Sequence, residues 1–340
     1  MKTRRMFPLM ALFVNFAAGL SSASFGGEVQ PSPDQMVGLG SHRLQMHVEG
    51  EGVPVIVIDA GLSDSLDKLK PLQERLARVT RVITYNRAGY GQSEPGPLPR
   101  TGGREAEELK ALLEKASVSG PYVLVGHSLG ASNMQVFASK YPGDVAGMVL
   151  LDPPPLSFIR GQKYKDLGAM AARMTAEWQA IADSAAKSGD AGEKAKSSFF
   201  QMIASEHREM FGETGRMVEA ISTFGDMPLV VVAAGKPNPA FGAVAEEYQK
   251  YWIEQSRLVA DKSTNGKFVL AEGASHYLYL DVPELVAQNI LSLVFEARAK
   301  TPGGRSKRFY ALTPEGRKTL LEIKHVQDAF WKDFPRVAEE

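Results

Sequence analysis

Short apolar runs alternate with stretches of helical spacing along most of this chain. Residues 42–48 alternate apolar and polar positions, which suits an early, half-exposed antiparallel strand. Residues 53–58 are continuously apolar, as expected of a strand buried on both faces of a sheet. Residues 66–77 read as helix and 81–85 as the next strand. Over 104–116 the apolar residues Leu109, Leu112, Leu113 and Ala116 recur at helical spacing. A strand at 122–125, a helix at 131–141 and a strand at 146–151 follow. This alternation predicts an α/β fold, a mostly parallel sheet with helices on both faces.

The rhythm breaks after Asp152-Pro153-Pro154-Pro155. From 156 to 224 Ala, Met, Glu and Lys dominate without a strand pattern, so a helical insertion is expected there. Strands resume at 229–234 and 267–271 with a helix between them at 241–258. A last amphipathic helix is predicted over 283–298.

Bulk properties narrow the function classes. A chain of 340 residues has room for one large α/β domain and an appendix. Its 39 basic residues balance 39 acidic ones, so nothing global attracts a nucleic acid. It has no cysteine, which excludes disulfides, thiolate catalysis and cysteine-type zinc sites. At the N-terminus Lys2, Arg4 and Arg5 precede an apolar stretch, residues 6–20, and then Ser21-Ser22-Ala23-Ser24. That is the order of a secretory signal peptide, with cleavage near Ala23 or Ser24. An uncleaved anchor is the alternative, although Pro8, Asn15 and the short length make a poor membrane span. The mature chain is thus expected to be exported, periplasmic or secreted, with no stable membrane span after cleavage.

The chemistry concentrates at Gly126-His127-Ser128-Leu129-Gly130. G-x-S-x-G between a strand and a helix forms a nucleophile elbow, whose tight turn exposes the serine hydroxyl. Chance supplies roughly 0.2 such matches in a chain of this composition, so the flanking elements carry the reading. Ser128 is the candidate nucleophile, and it needs a neighbouring base held by a third group. Among the histidines, His127 lies inside the elbow, His42 and His47 on the early strand, His207 in the insertion and His325 near the C-terminus. Only His276 sits in a loop after a late strand, where the order serine, acid, histidine requires the base. The Leu129 N–H, at the positive end of the elbow helix, is one candidate oxyanion donor.

Four segments occur in a telling order: Asp59-Ala60-Gly61-Leu62, the run from Tyr85 to Ser93 that reads YNRAGYGQS, the elbow, and Gly273-Ala274-Ser275-His276. Together they resemble an α/β-hydrolase with a helical cap over roughly residues 36–299. The resemblance implies a hydrolase core at 36–155 and 226–299 with a cap at 156–225. It also implies a serine hydrolase that acts on a small-molecule acyl substrate, without metal or cofactor, and a second oxyanion donor at the Leu62 N–H. In most such enzymes the acid follows the strand after the cap, but here that loop, Gly235-Lys236-Pro237-Asn238-Pro239, holds no carboxylate. Some members carry it one strand earlier, which points to Asp152. An aspartate before proline also ends strands by turn chemistry, and Asp226, Glu246, Glu247 or a dyad without an acid stay open. The run from Arg87 to Ser93 is read as structural or pocket-shaping, and Asp59 as close enough to influence the site's electrostatics. Trp178, Phe199, Phe200, Met202, Met210 and Phe211 either line an acyl pocket or form plain core, and Tyr277 and Tyr279 share that ambiguity.

Residues 300–340 do not fit the hydrolase. A linker at Thr301-Pro302-Gly303-Gly304, a basic turn, Phe309-Tyr310-Ala311-Leu312 and a helix from Thr313 resemble the wing and last helix of a winged-helix regulator. No recognition helix accompanies them, so nucleic-acid binding is not expected. Ester hydrolysis is the leading expectation. Carbon–carbon bond or lactone hydrolysis on the same residues, or a non-catalytic protein whose tail binds a partner or nucleic acid, are the alternatives.

Overall fold

The computed structural model describes residues 34–157 and 163–300. The segment expected to be a signal peptide, 1–24, and the appendix from 301 onward, with its resemblance to a winged-helix regulator, lie outside these described residues. Among the described residues eight strands form one sheet in the order β1-β2-β4-β3-β5-β6-β7-β8. They are β1 (Asp34–Gly38), β2 (Arg43–Glu49), β3 (Val55–Asp59), β4 (Val82–Tyr85), β5 (Tyr122–His127), β6 (Val145–Leu151), β7 (Leu229–Ala234) and β8 (Gly266–Ala271). β1 pairs antiparallel with β2, and β2 with β4; every later pairing is parallel.

The continuous apolar runs become the sheet's centre, where β3, β4, β5 and β7 are buried at every position. Successive residues point to opposite faces. Val55 and Val57 therefore join one core with α2 (Gly102–Lys115) and α3 (Leu129–Lys140), while Ile56 and Ile58 join the other with α1 (Leu66–Ala77) and α9 (Pro283–Lys300). Each such aliphatic side chain, fully buried, contributes roughly 1.5–3 kcal/mol. The helix that follows the elbow, α3, is buried from Leu129 to Ala138 on all sides, so the elbow rests on a rigid support.

Between β6 and β7 the described residues form three α-helices, α4 (Lys165–Ala185), α5 (Ala191–Phe211) and α6 (Glu213–Ala220). Side chains tie them to the core: Ser205 Oγ accepts from the Arg100 N–H at 2.9 Å, and Thr214 Oγ1 from the Gly102 N–H at 2.7 Å. The helix after β7, α7 (Ala245–Ala260), starts later than its sequence pattern suggests. A 3-10 segment, Pro239–Val244, precedes it, and Gly242 within that segment has a positive φ. A short helix, α8 (Leu278–Asp281), follows β8.

Candidate active site

Six parallel strands, β3 to β8, deliver their loops to one edge of the sheet, the carboxyl ends where α/β proteins place ligands. Ser128 follows β5 there with φ 53° and ψ −117°, a left-handed conformation that a serine adopts at a cost of about 1–3 kcal/mol. Its surroundings enforce it. The Ser128 N–H donates to the Leu151 carbonyl at 3.0 Å, across to β6. The elbow's glycines leave no room for anything larger: a Cβ on Gly130 would lie 2.4 Å from the Asp59 carbonyl oxygen, and one on Gly126 2.5 Å from that of Gly130.

Asp152, directly after β6, also has a positive φ, 48°. Its N–H donates to the Val232 carbonyl at 2.7 Å, and its Oδ1 accepts from the Ala234 N–H at 2.9 Å, so β7 holds it from two directions. That leaves Oδ2 for His276, whose Nδ1 lies 2.6 Å away. A buried carboxylate this close retains the proton on Nδ1 and leaves the Nε2 lone pair free to act as a base. Asp152 is almost fully buried, while the His276 side chain keeps about a quarter of its surface exposed. The other carboxylates lie elsewhere. Asp226 is exposed ahead of β7, at the opposite end of the strand, and Glu246 and Glu247 are exposed on the first turn of α7.

His127 turns away from its neighbour's hydroxyl into the protein. Its Nε2–H donates to the His276 carbonyl at 2.8 Å, and its ring stacks obliquely on that of His276, with centroids 4.7 Å apart. Burial, then the neighbouring His276, push its pKa well below the usual histidine range, so it is a neutral strut. Nδ1 of His127 lies against Gly61, where a Cβ would come within 2.9 Å of it. Tyr277 and Tyr279 pack on the same imidazole, with centroids at 5.7 and 5.1 Å. Burial, helped by Asp64, raises the Tyr277 phenol to about 12, so it stays protonated.

Leu129 belongs to the elbow as the first residue of α3, and the loop after β3 that carries Leu62 abuts it: a Cβ on Gly130 would lie 2.7 Å from the Ala60 carbonyl oxygen. Asp59 is wholly buried and neutralised by Arg87, whose Nη1 donates to Asp59 Oδ1 at 2.6 Å, while Asn133 donates to its Oδ2 at 3.1 Å. The apolar residues of the insertion divide. Met202 is buried against Tyr90, with Leu62, Trp178 and Phe199 around it, whereas Met210 belongs to the main core. Phe211 packs on a further cluster of Tyr164, Leu167, Tyr248 and Trp252.

Two features at this edge had no sequence signal. Trp252 of α7 meets His276 edge-on, with centroids 5.6 Å apart, and its indole nitrogen is buried without a partner among the described residues. Glu206 of α5 reaches the loop after β4, where it accepts from Arg87 and from the Tyr90 hydroxyl. A groove of about 600 Å³ between α4 and α5, bordered by Ala171, Thr175, Gln179, His207 and Phe211, includes none of Ser128, Asp152 and His276.

Comparison with known proteins agrees with this arrangement. The profile described as "Alpha/beta hydrolase family" matches residues 53–289. The chain belongs to the alpha/beta hydrolase family. Within the family it is 28% identical over 241 residues to the uncharacterized protein YqjL of Bacillus subtilis, an alignment that spans 71% of this chain and 83% of that one. It is 24% identical over 272 residues to the 2-(acetamidomethylene)succinate hydrolase of Mesorhizobium japonicum, over 76% of this chain and 94% of the relative. Among solved structures, a thermophilic esterase from Thermogutta terrifontis superposes with a TM-score of 0.54 at 20% identity, over 78% of this chain and 98% of the other. This α/β-hydrolase is therefore a hydrolytic enzyme by family, and the esterase likeness speaks for the shared fold.

Proposed function

We propose that this protein is an exported serine hydrolase that cleaves a carboxylic ester or related acyl compound through an acyl-enzyme. The observation that carries the proposal is the 2.6 Å contact of His276 Nδ1 with Asp152 Oδ2, at the same sheet edge as the strained Ser128. In this scheme Ser128 Oγ bonds to the acyl carbon as its proton passes to His276 Nε2. The carbonyl oxygen takes up the negative charge and is held by the Leu62 and Leu129 N–H groups. His276 then gives its proton to the leaving alkoxide, the carbon–oxygen bond breaks, and the acyl group stays on Ser128. Water, deprotonated by His276, attacks that ester, and the proton returns to Ser128 as the acid departs.

The name of the relative from Mesorhizobium japonicum, a hydrolase of an acylated small molecule, favours an acyl substrate here too. Export rests on the basic, apolar and small-residue order of the first 24 residues. A panel of esters, lactones and β-diketones tests the activity. Ester turnover is expected, and Ser128→Ala and His276→Ala should each abolish it while the fold survives. Undiminished turnover by the Ser128→Ala protein would sink the mechanism. The N-terminal residue of protein recovered outside the cytoplasm tests export, and it is expected close to position 25.

A further inference from the structure

Arg87, in the loop after β4, uses every N–H it has. A guanidinium carries five such donors in a planar fork, and here each meets an acceptor. Nη1 donates to Asp59 Oδ1 at 2.6 Å and to the Ala60 carbonyl at 2.7 Å. Nη2 donates to the Gly61 carbonyl at 2.9 Å and to Glu206 Oε2 at 3.2 Å. Nε donates to Glu206 Oε1 at 3.0 Å. Arg87, Asp59 and Glu206 are all essentially without solvent exposure. Burial opposes the charge on Arg87, but the two carboxylates hold it well above its ordinary pKa, so it stays a cation.

Two of those acceptors are the carbonyls that precede Leu62. The Gly61 C=O and the Leu62 N–H belong to the same peptide plane and point in opposite directions across it. Fixing the carbonyl on Arg87 therefore fixes where the Leu62 N–H points, away from Arg87. A hydrogen bond at the carbonyl also polarises the amide and makes its N–H a better donor. Glu206 adds a second control from outside the sheet. It belongs to α5 of the insertion, 119 residues from Arg87, and pairs with the guanidinium through both oxygens. The same Oε2 accepts from the Tyr90 hydroxyl at 2.6 Å, and that hydroxyl accepts from the Ser63 N–H at 3.2 Å. Tyr90 also lies under the Arg87 guanidinium, 4.9 Å from its centroid, and meets Phe199 of α5 edge-on at 5.4 Å. Residues 60, 61 and 63 are thus held on either side of Leu62, and the inserted helix supplies the counter-charge that holds them.

We propose that Arg87 and Glu206 are positioning residues for the oxyanion hole, through which docking of the inserted helices orients the Leu62 N–H. This rests on the acyl-transfer reading above. Neither residue touches the substrate. Arg87 sets the amide plane, and Glu206 sets Arg87. An ammonium cannot satisfy this planar set of acceptors, so lysine is not an equivalent.

The test uses the full-length enzyme with active sites titrated by a fluorophosphonate, comparing wild type, Arg87→Lys and Glu206→Gln. Two quantities are read: kcat and KM on an ester, and the inhibition constant of a matched trifluoromethyl ketone. That ketone forms a Ser128 hemiketal whose oxygen becomes the oxyanion as the serine proton passes to His276. Loss of one oxyanion donor typically lowers kcat by about 10²–10³, and misorientation of one should lower it by about 10–10². The expected result is that fall per titrated site, with KM within about threefold and the ketone weakened in the same proportion as kcat. A purely structural role would lower the titratable fraction or the melting temperature while leaving kcat per site and the ketone constant alone, and that would overturn the proposal. If Arg87→Lys does not fold, Glu206→Gln, which leaves Arg87 paired with Asp59, decides alone. A wild-type protein that neither labels nor turns over any ester overturns the acyl-transfer reading and this proposal together. An active wild type with unaffected variants overturns this proposal only.

Discussion

Asp152→Asn separates a catalytic role for this carboxylate from a merely structural one, because the structure dictates which way the new amide turns. Oδ1 of Asp152 accepts from the buried Ala234 N–H at 2.9 Å and Oδ2 faces His276 Nδ1 at 2.6 Å. An asparagine has one acceptor for these two positions. If its oxygen stays on Ala234, its NH₂ faces His276 and forces the proton onto Nε2, where the imidazole can no longer accept from Ser128. If the amide is reversed, the Ala234 N–H is left facing a donor. An unsatisfied buried donor costs about 1–3 kcal/mol, so the inactive tautomer should dominate. Even in the reversed form the charge-assisted bond that stabilises the imidazolium is replaced by a neutral one, a further loss of about 1.5–3 kcal/mol. The combined loss, roughly 3–6 kcal/mol, corresponds to about 10²–10⁴ in kcat at 1.36 kcal/mol per tenfold. Steady-state hydrolysis of an ester found in the panel measures it, and ¹⁵N shifts of His276 report the tautomer independently. A variant with kcat within tenfold of wild type, or one whose His276 keeps its proton on Nδ1, would refute the reasoning.

Two further outcomes follow from packing and burial. Gly130→Ala puts a methyl group 2.4 Å from the Asp59 carbonyl oxygen and 2.7 Å from that of Ala60, both backbone atoms with little room to yield. Overpacking of this kind costs about 1–3 kcal/mol or more, so the melting temperature should fall by several degrees and kcat with it; an unchanged melting curve and kcat would contradict the elbow geometry. His207 of α5, whose Nδ1 lies 2.7 Å from Thr175 Oγ1, is pushed down to about 4 by burial. At pH 7 it is neutral in the folded chain and mostly neutral in the unfolded one, but as pH falls through 6.5 the unfolded chain takes up a proton that the folded one refuses until about pH 4. Stability should therefore decline over that window, by about 3 kcal/mol from this residue. Urea unfolding at pH 7 and pH 4.5 should show a shallower decline for His207→Gln than for wild type, and parallel declines would exclude His207 as the cause.

What could be read from the sequence follows physical lines. The central strands were legible because burial on both faces demands uninterrupted apolar runs, as in residues 53–58 and 229–234. β1 was not, because Asp34–Gly38 is an edge strand with exposed positions and no alternation to betray it. Asp152 and His276, 124 residues apart, could be linked on paper only through the family resemblance, which allows an acid one strand earlier when the loop after β7 lacks a carboxylate, and other acids stayed open. Nothing local marked Glu206. A glutamate on a helix rich in charged residues looks solvated, and only the tertiary fold reveals it buried against Arg87. Trp252 escaped for the same reason: on α7 it reads as one more core aromatic, and its position beside His276 depends on how α7 packs across β7 and β8. The sequence places His127 inside the elbow, and its role as a strut for the His276 carbonyl emerges from the 2.8 Å contact alone.

The account stands most directly on where a fluorophosphonate attaches to the full-length protein. Peptide mass spectrometry should find one adduct, on the fragment that carries Ser128. The adduct should vanish in Ser128→Ala and form far more slowly in His276→Ala. A protein that stays unlabelled, or one labelled on a different serine at the wild-type rate, would contradict the assignment of Ser128 as the nucleophile.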